Sequence, residues 1–163
     1  ESLFGQGLPE LAVMNYAFEK SIQKFCPKLF SHLRSVDMKT EYFTFKWSMT
    51  LFACSLPICL LVHVFDLFVL EGWPAIYKIG VSLLNNFLSD KLLPLDGMME
   101  IHNICVKTFA DLRHILGGHT SVIIGSHHVN INKSDLIKLK EEFYINLAQE
   151  KIKEHAADYQ DLG

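Results

Sequence analysis

Positive charge is scarce in this chain, and arginine is scarcer still. The 163 residues carry 15 Lys and Arg against 18 Asp and Glu, and the two arginines are Arg34 and Arg113. A nucleic-acid-binding domain needs a basic face to meet the phosphate backbone. The charge balance therefore argues against nucleic acid as a partner.

Metal-binding spacing is also missing. The cysteines include no Cys-x-x-C pair, and each lies among apolar residues: Cys26, Cys54, Cys59 and Cys105. A glycine-bearing segment holds four histidines, but apart from Asp111 no acid or thiol at matched spacing completes a ligand set for them: His114, His119, His127 and His128. We predict no metal site and no cofactor. The thiols are interpreted as small hydrophobes of a reduced, cytosolic protein.

Nucleophilic catalysis has no support from the sequence. No serine lies in the glycine pattern of a nucleophile elbow. Cys59 and His63 are four residues apart, so they lie one turn apart on a helix, and we interpret this spacing as packing. The chain is not predicted to be an enzyme.

A long run without charge dominates the middle of the chain. Residues 47–65 are nineteen consecutive positions without Asp, Glu, Lys or Arg. About 20 apolar residues can span a bilayer. However, Pro57 interrupts the run, and Asp66 at its end would cost about 2.5–3.5 kcal/mol at mid-bilayer. We therefore predict no transmembrane segment, and interpret the run as two buried helices that meet at Pro57.

The apolar spacing predicts an all-α fold. Apolar residues recur every three to four positions over 9–25, and prolines or glycines punctuate the rest. Further helices are predicted from 27, over 42–53, from 57 to about 70, from 74 to about 88, and from 96 to 117–118. Strand signals are weak throughout.

Three regions are predicted along the chain. Residues 1–118 form a helical subdomain, 119–132 form a loop with glycines and histidines, and 133–163 form an amphipathic charged helix. The last helix, capped by Asn132 or Ser134, carries 12 charges over 133–161, whereas 42–88 carry 4. Its apolar stripe is too short for a confident coiled coil, so we expect it to pack on its own domain.

Several short blocks occur in a characteristic order. Residues 27–33 read PKLFSHL, an aromatic pair and a tryptophan lead into TLF at 50–52, and VFD at 64–66 precedes EG at 71–72. With YAFE at 16–19, LDGM at 95–98 and KLKEEFY at 138–144, this order resembles the carboxyl-terminal half of the TBC domain of Rab GTPase-activating proteins. The subgroup with a charged helix after the domain is the most similar. The resemblance covers about residues 3–145.

The resemblance implies a multi-helix orthogonal array that binds a GTP-loaded Rab GTPase and regulates vesicle traffic, in the cytoplasm or peripherally on endomembranes. The positions that match the structural motif of the family are Pro27, His32, Trp47, Phe52, Asp66, Glu71 and Gly72. Two positions depart from the pattern: Ser48 follows the tryptophan where a large residue is usual, and His63 stands where many members have arginine.

Two catalytic motifs of the family are missing. Its members supply an arginine from I-x-x-D-x-x-R and a glutamine from Y-x-Q-G, both in the amino-terminal half of the domain, and neither motif occurs here. Residues 4–8, FGQGL, imitate the second motif, but the block from Tyr16 follows too soon for Gln6 to be expected as a glutamine finger. The chain alone is expected to be inactive. The alternative is a catalytically inert TBC-derived scaffold or interaction module.

Two structural expectations follow from this resemblance. Asp66 lies among apolar residues, so we expect it to be held by backbone amides or a hydroxyl in a structural role. Half a domain should also expose an apolar face, and such faces drive association. Self-association through that face is therefore predicted.

Overall fold

The computed structural model describes residues 9–107 and 118–160, and the surroundings of side chains at 9–106 and 121–153. Every regular element in these ranges is helical, which confirms the predicted all-α fold. The elements are α1 Pro9–Phe25, α2 Pro27–Ser35, α3 Glu41–Thr50, α4 Ile58–Glu71, α5 Trp73–Leu83, a π-helical turn Leu84–Leu88, α6 Ser89–Leu92, α7 Met98–Lys107, α8 Gly118–His127 and α9 Lys133–Gln160.

Helix α1 lies at the centre of the arrangement, in contact with α2, α3, α5 and α9. It begins at Pro9, where the missing N–H costs no helical hydrogen bond. Its apolar residues at Leu11, Met14, Phe18 and Ile22 are all buried. The predicted stripe is therefore the side of α1 that faces the core.

Helix α3 ends earlier than predicted. Leu51 and Phe52 take positive φ angles of 47° and 65°, and the Phe52 N–H donates to the Trp47 carbonyl at 3.0 Å. A left-handed residue costs about 1–2 kcal/mol. Complete burial of the Phe52 ring offsets this cost, because it brings about 1.5–3 kcal/mol. The prediction that the helix reaches residue 53 is thus wrong by about one turn.

Helix α4 is only half buried, which corrects the interpretation of the uncharged run as two buried helices. It begins after Pro57, as predicted, and buries Leu60, Leu61 and Val64. Its other side is open to solvent. Among the helices that the structure describes, none combines the length and the apolar character needed to cross a bilayer.

Helix α5 is the most deeply buried element, with most of its side chains inaccessible. Gly80 lets Phe18 of α1 approach closely, since a Cβ there would lie 2.6 Å from the phenyl ring. The predicted fifth helix does not end near 88, because the chain continues through the π-helical turn into α6 and ends at Leu92.

The predicted loop at 119–132 is wrong for most of its length. Helix α8 covers Gly118–His127, and a short connection follows at 128–132. Tertiary packing overrides the low helix propensity of glycine here. Val122 is fully buried, and its carbonyl accepts a hydrogen bond of 2.8 Å from the Ser82 hydroxyl of α5. The sixth helix was predicted to reach 117–118, and that part lies outside the described residues.

Helix α9, Lys133–Gln160, begins where the last helix was predicted to begin, and residues 161–163 of the predicted helix lie outside the described residues. Asn132 and Asp135 form a reciprocal cap, in which each side chain accepts a 3.0 Å hydrogen bond from the other's backbone N–H. The helix packs against α1 and α5, so it returns to its own domain as expected.

Candidate functional site

Trp47 stands at the centre of an aromatic cluster. Its ring centroid lies 4.9 Å from Phe43, 5.2 Å from Phe52 and 6.2 Å from Phe18. All four side chains are fully buried. The structure thus brings two of the predicted motif residues, Trp47 and Phe52, into one core where they hold α1 against α3.

His32 fastens α2 to a distant part of the chain. Its Nε2 lies 2.9 Å from the carbonyl oxygen of Leu95, so this nitrogen donates a hydrogen bond to the segment after α6. Pro27 is exposed and occupies the first turn of the same helix, where its ring is tolerated.

Glu71 and Gly72 form the junction between α4 and α5. The Glu71 carboxylate pairs with Lys78 at 2.7 Å. Gly72 has φ of 77° and ψ of −148°, a conformation that is accessible almost only to glycine. The two residues let the chain turn sharply between the helices.

Asp66 does not lie in the enclosed environment that was expected for it. It is exposed on the outer side of α4, opposite the buried Leu60 and Val64. Its apolar neighbours in sequence lie on two sides of the helix, so they do not enclose it. Gln6, considered above as a glutamine-finger mimic, lies outside the described residues.

A broad cleft of about 720 Å³ opens between α1, α2, the turn that follows α2, and α3. Its floor is mainly apolar, because the buried residues that line it are Leu11, Phe30, Leu33 and Met38 together with Thr40, and Phe143 of α9 lines one side. Its rim carries charges of both signs: Glu19, Arg34, Asp37, Lys39 and Glu41. The guanidinium carbon of Arg34 lies 5.8 Å from the Phe30 ring centroid, in cation–π range.

A polar clasp holds α9 beside this cleft. The Tyr16 hydroxyl donates to the Glu142 carboxylate at 2.6 Å and accepts from the Asn146 side-chain amide at 3.1 Å. Lys20 lies 3.4 Å from the same carboxylate. The hydrogen bond from Tyr16 holds the pKa of Glu142 below its usual value, because it favours the charged carboxylate.

A second contact extends the clasp toward the start of α9. The ammonium group of Lys140 donates to the Glu10 carboxylate at 2.6 Å, and this hydrogen bond raises the pKa of Lys140. The clasp was not predicted from the sequence, although Tyr16 and Lys20 are one helical turn apart. Residues 126 and 130 positions away complete it, and no local pattern reveals such pairs.

The chemistry of the site is that of a binding surface. Burial raises the pKa of the Cys26 thiol to about 11 and that of Cys105 to about 12, so both stay protonated and unreactive at neutral pH. Within 9–107 and 118–160, no group of three His, Cys, Asp or Glu side chains could hold a metal ion. The cleft offers an apolar floor and a charged rim, which suits a protein surface.

The comparisons with known proteins agree with this all-helical architecture. The family model of the Rab-GTPase-TBC domain matches residues 1–93. The chain belongs to this family.

Relatives extend the similarity toward the end of the chain. The ecotropic viral integration site 5 protein of Mus musculus is 28% identical over 142 residues, which cover 86% of this chain and 17% of that protein. The GTPase-activating protein GYP5 of Saccharomyces cerevisiae is 28% identical over 82 residues, 50% of this chain and 9% of that protein. The Rab GTPase-activating protein tbc-11 of Caenorhabditis elegans is 29% identical over 94 residues, 58% of this chain and 10% of that protein. The chain thus matches only 9–17% of the length of these relatives.

Proposed function

We propose that this chain is part of a GTPase-activating protein for Rab GTPases, acting in vesicle traffic in the cytoplasm or peripherally on endomembranes. Its family membership supports this function, and two of the relatives above are named as GTPase-activating proteins. Such a protein is not itself the enzyme, because the bound Rab hydrolyses the GTP. We further propose that the chain contributes binding and is inactive alone.

The missing motifs support the proposed inactivity. An arginine finger stabilises the charge that develops on the transferred phosphoryl group, and it can accelerate hydrolysis about 10³–10⁵-fold. Neither I-x-x-D-x-x-R nor Y-x-Q-G occurs in the sequence. Arg34, at the end of α2, has its guanidinium group within cation–π range of the Phe30 ring. Arg113 lies outside the described residues. A side chain engaged with its own helix is poorly placed to reach a partner's nucleotide.

We assign the contact with the Rab to the cleft between α1 and α3. Its rim presents acidic and basic groups around an apolar floor, and complementary charge supplies specificity between proteins. Reversing one rim charge should weaken binding of a GTP-loaded Rab several-fold. Arg34→Glu tests this, and Lys28→Glu is the matched control, since Lys28 is an exposed cation on the same helix that does not line the cleft. If Arg34→Glu and Lys28→Glu bind the Rab equally well, the Rab does not contact this cleft.

GTP hydrolysis by a panel of GTP-loaded Rab proteins, with the chain in excess, tests the inactivity. We expect no stimulation of any Rab. Stimulation would refute the proposal, and Gln6→Ala and Arg34→Ala would then locate the responsible side chain. Binding without stimulation supports a Rab-binding portion of an activator. Absence of binding to every Rab would favour the alternative, an inert TBC-derived interaction module.

A further inference from the structure

Helix α9 lies on the domain without a fully buried side chain. The surroundings of its side chains are described for 133–153, and every residue there is exposed or only partly buried. Each of the helices α1–α8, in contrast, buries at least one side chain. The partly buried apolar residues of α9 form one stripe at a spacing of three to four residues: Leu136, Leu139, Phe143 and Leu147. The apolar contact that holds α9 is therefore thin.

The clasp supplies the polar part of this attachment. Lys140 pairs with Glu10 at 2.6 Å, and Glu142 accepts from Tyr16 and lies 3.4 Å from Lys20. The side chains of the two ion pairs are 33–48% exposed. An exposed ion pair shifts an equilibrium only about two- to fivefold. The clasp can therefore open without unfolding of the core.

The segment before α9 is anchored more firmly than the helix itself. Val129 and Ile131 are 7% and 5% exposed, and both belong to the hydrophobic core. The reciprocal cap of Asn132 and Asp135 then fixes the first turn. When the clasp opens, α9 therefore stays tethered at its start while the rest of the helix leaves α1.

The docked helix occupies one side of the cleft. Phe143 of α9 and Tyr16 of α1 both line the cleft, and their ring centroids lie 5.5 Å apart. A protein partner covers about 20–30 residues on each side, more than line this cleft. A Rab that binds there must therefore extend past the rim, and on the side of Phe143 it meets α9.

We propose that α9 is a releasable strap, which closes one side of the cleft when it is docked on α1 and which a GTP-loaded Rab must displace. This inference rests on the assignment of the cleft to the Rab under the proposed function. Docked and released chains are then in equilibrium, and the apparent affinity for the Rab is the intrinsic affinity reduced by the released fraction. Weakening the clasp raises this fraction, so it should tighten Rab binding.

Charge exchange between Glu10 and Lys140 tests the strap, because neither residue is among those that line the cleft. Lys140→Glu and Glu10→Lys each place two like charges together, and each should lower the dissociation constant of a GTP-loaded Rab about two- to fivefold. The two variants change the net charge in opposite directions, so tightening by both excludes long-range electrostatic steering as its cause. The double variant Glu10→Lys/Lys140→Glu restores an opposite pair and should return the dissociation constant toward the wild-type value.

Lys138→Glu is the matched control. Lys138 is an exposed cation on the same helix, and its replacement changes the net charge by the same amount as Lys140→Glu. It should leave the dissociation constant unchanged.

Hydrogen exchange in the absence of a Rab measures release of the strap directly. An isolated helix is marginal in water, so released α9 frays and its amides exchange. The amides of 137–153 should exchange faster in Lys140→Glu and Glu10→Lys than in the wild type, and the double variant should reverse the effect. The amides of α5 should keep their protection in every variant, which verifies that the core is intact.

Three results would overturn the strap. Rab binding by the single variants could be unchanged or weaker although α9 exchanges faster, which would mean that α9 does not compete with the Rab. Lys138→Glu could tighten binding as much as Lys140→Glu, which would assign the effect to charge instead of release. The exchange of α9 could be the same in all variants, which would mean that the clasp does not hold the helix. If no Rab binds the wild type or any variant, the proposed function fails as well, whereas binding that release does not tighten overturns the strap alone.

Discussion

Replacing Gly125 by alanine tests how α8 docks on α5. A Cβ at this position would lie 2.2 Å from the Asn86 side-chain nitrogen and 2.4 Å from the Ser82 hydroxyl oxygen. Real Cβ atoms do not approach other atoms so closely, so α8 or both side chains must move. Ser82 cannot move freely, since it is buried and donates to the Val122 carbonyl.

The opposing contributions can be compared. Alanine is favoured over glycine inside a helix by about 1 kcal/mol. Overpacking costs about 1–3 kcal/mol, and displacing the hydroxyl loses a hydrogen bond that contributes about 1 kcal/mol. Gly125→Ala should therefore lower the free energy of unfolding by about 1–3 kcal/mol, although its helix propensity is better.

Urea unfolding followed by circular dichroism measures this change. Gly97→Ala is a control without a clash, because a Cβ there meets nothing closer than 3.7 Å. Gly97 precedes α7 and its carbonyl accepts from the Glu100 and Ile101 N–H groups, so we expect only the small cost, below about 1 kcal/mol, of alanine at a helix N-terminus. Replacing both Ser82 and Asn86 by alanine removes the two atoms that would clash. Adding Gly125→Ala in that background should cost much less, and the difference is the coupling energy between position 125 and the Ser82–Asn86 pair.

One result would refute this reasoning. If Gly125→Ala stabilises the protein by about 1 kcal/mol, the propensity gain acts alone. Gly125 would then not mark a close approach between α8 and α5.

Three further predictions follow from the geometry. Gly72→Ala should destabilise the protein by about 1–3 kcal/mol in urea unfolding through backbone strain alone, because φ is 77° and the nearest atom to the new Cβ is 3.8 Å away. The clasp on α9 should weaken as pH falls below the ordinary Glu142 pKa of 4.5, since a lowered pKa gives stability that is present above that value and is lost on protonation. The protection factors of the α9 amides, which correct for the intrinsic pH dependence of hydrogen exchange, should fall below that pH, and Tyr16→Phe should reduce the pH dependence. A thiol reagent at neutral pH should modify two cysteines quickly and two only on unfolding, because burial protects the second pair: Cys54 and Cys59, then Cys26 and Cys105.

The accuracy of the sequence analysis depends on how local each signal is. The stripe of α1 and the start of α9 were predicted correctly, since apolar periodicity and a cap such as Asn132 act within a few residues. The end of α3 was missed because burial of Phe52, a tertiary contact, stabilises a left-handed turn. Helix α8 was missed for the same reason, since its hydrogen bond to Ser82 joins residues 40 positions apart.

The residues of the candidate site fall into the same two groups, those with a local signal in the sequence and those brought together from distant segments. The residues predicted to match the structural motif of the family include Trp47, Phe52 and His32, and the structure shows the contacts that each of them makes. The cleft and the clasp from Tyr16 to Glu142 were not found, because their members come from distant segments. The expectation that Asp66 is enclosed and held by backbone amides or a hydroxyl was wrong, because Asp66 is exposed. Hydrophobic neighbours in sequence do not say which side of a helix is buried.

The uncharged run at 47–65 has a physical explanation in the structure. Its first part supplies Trp47 and Phe52 to the aromatic core, and its second part places Leu60 and Val64 on the buried side of α4. A helix with one buried side would still carry charge on the other, as α9 does beyond its contact with α1. On α4 that other side holds Ile58, Val62 and Phe65. The uncharged run is therefore continuous because an inward face and an outward face of α4 are both apolar, and the core uses only the inward one.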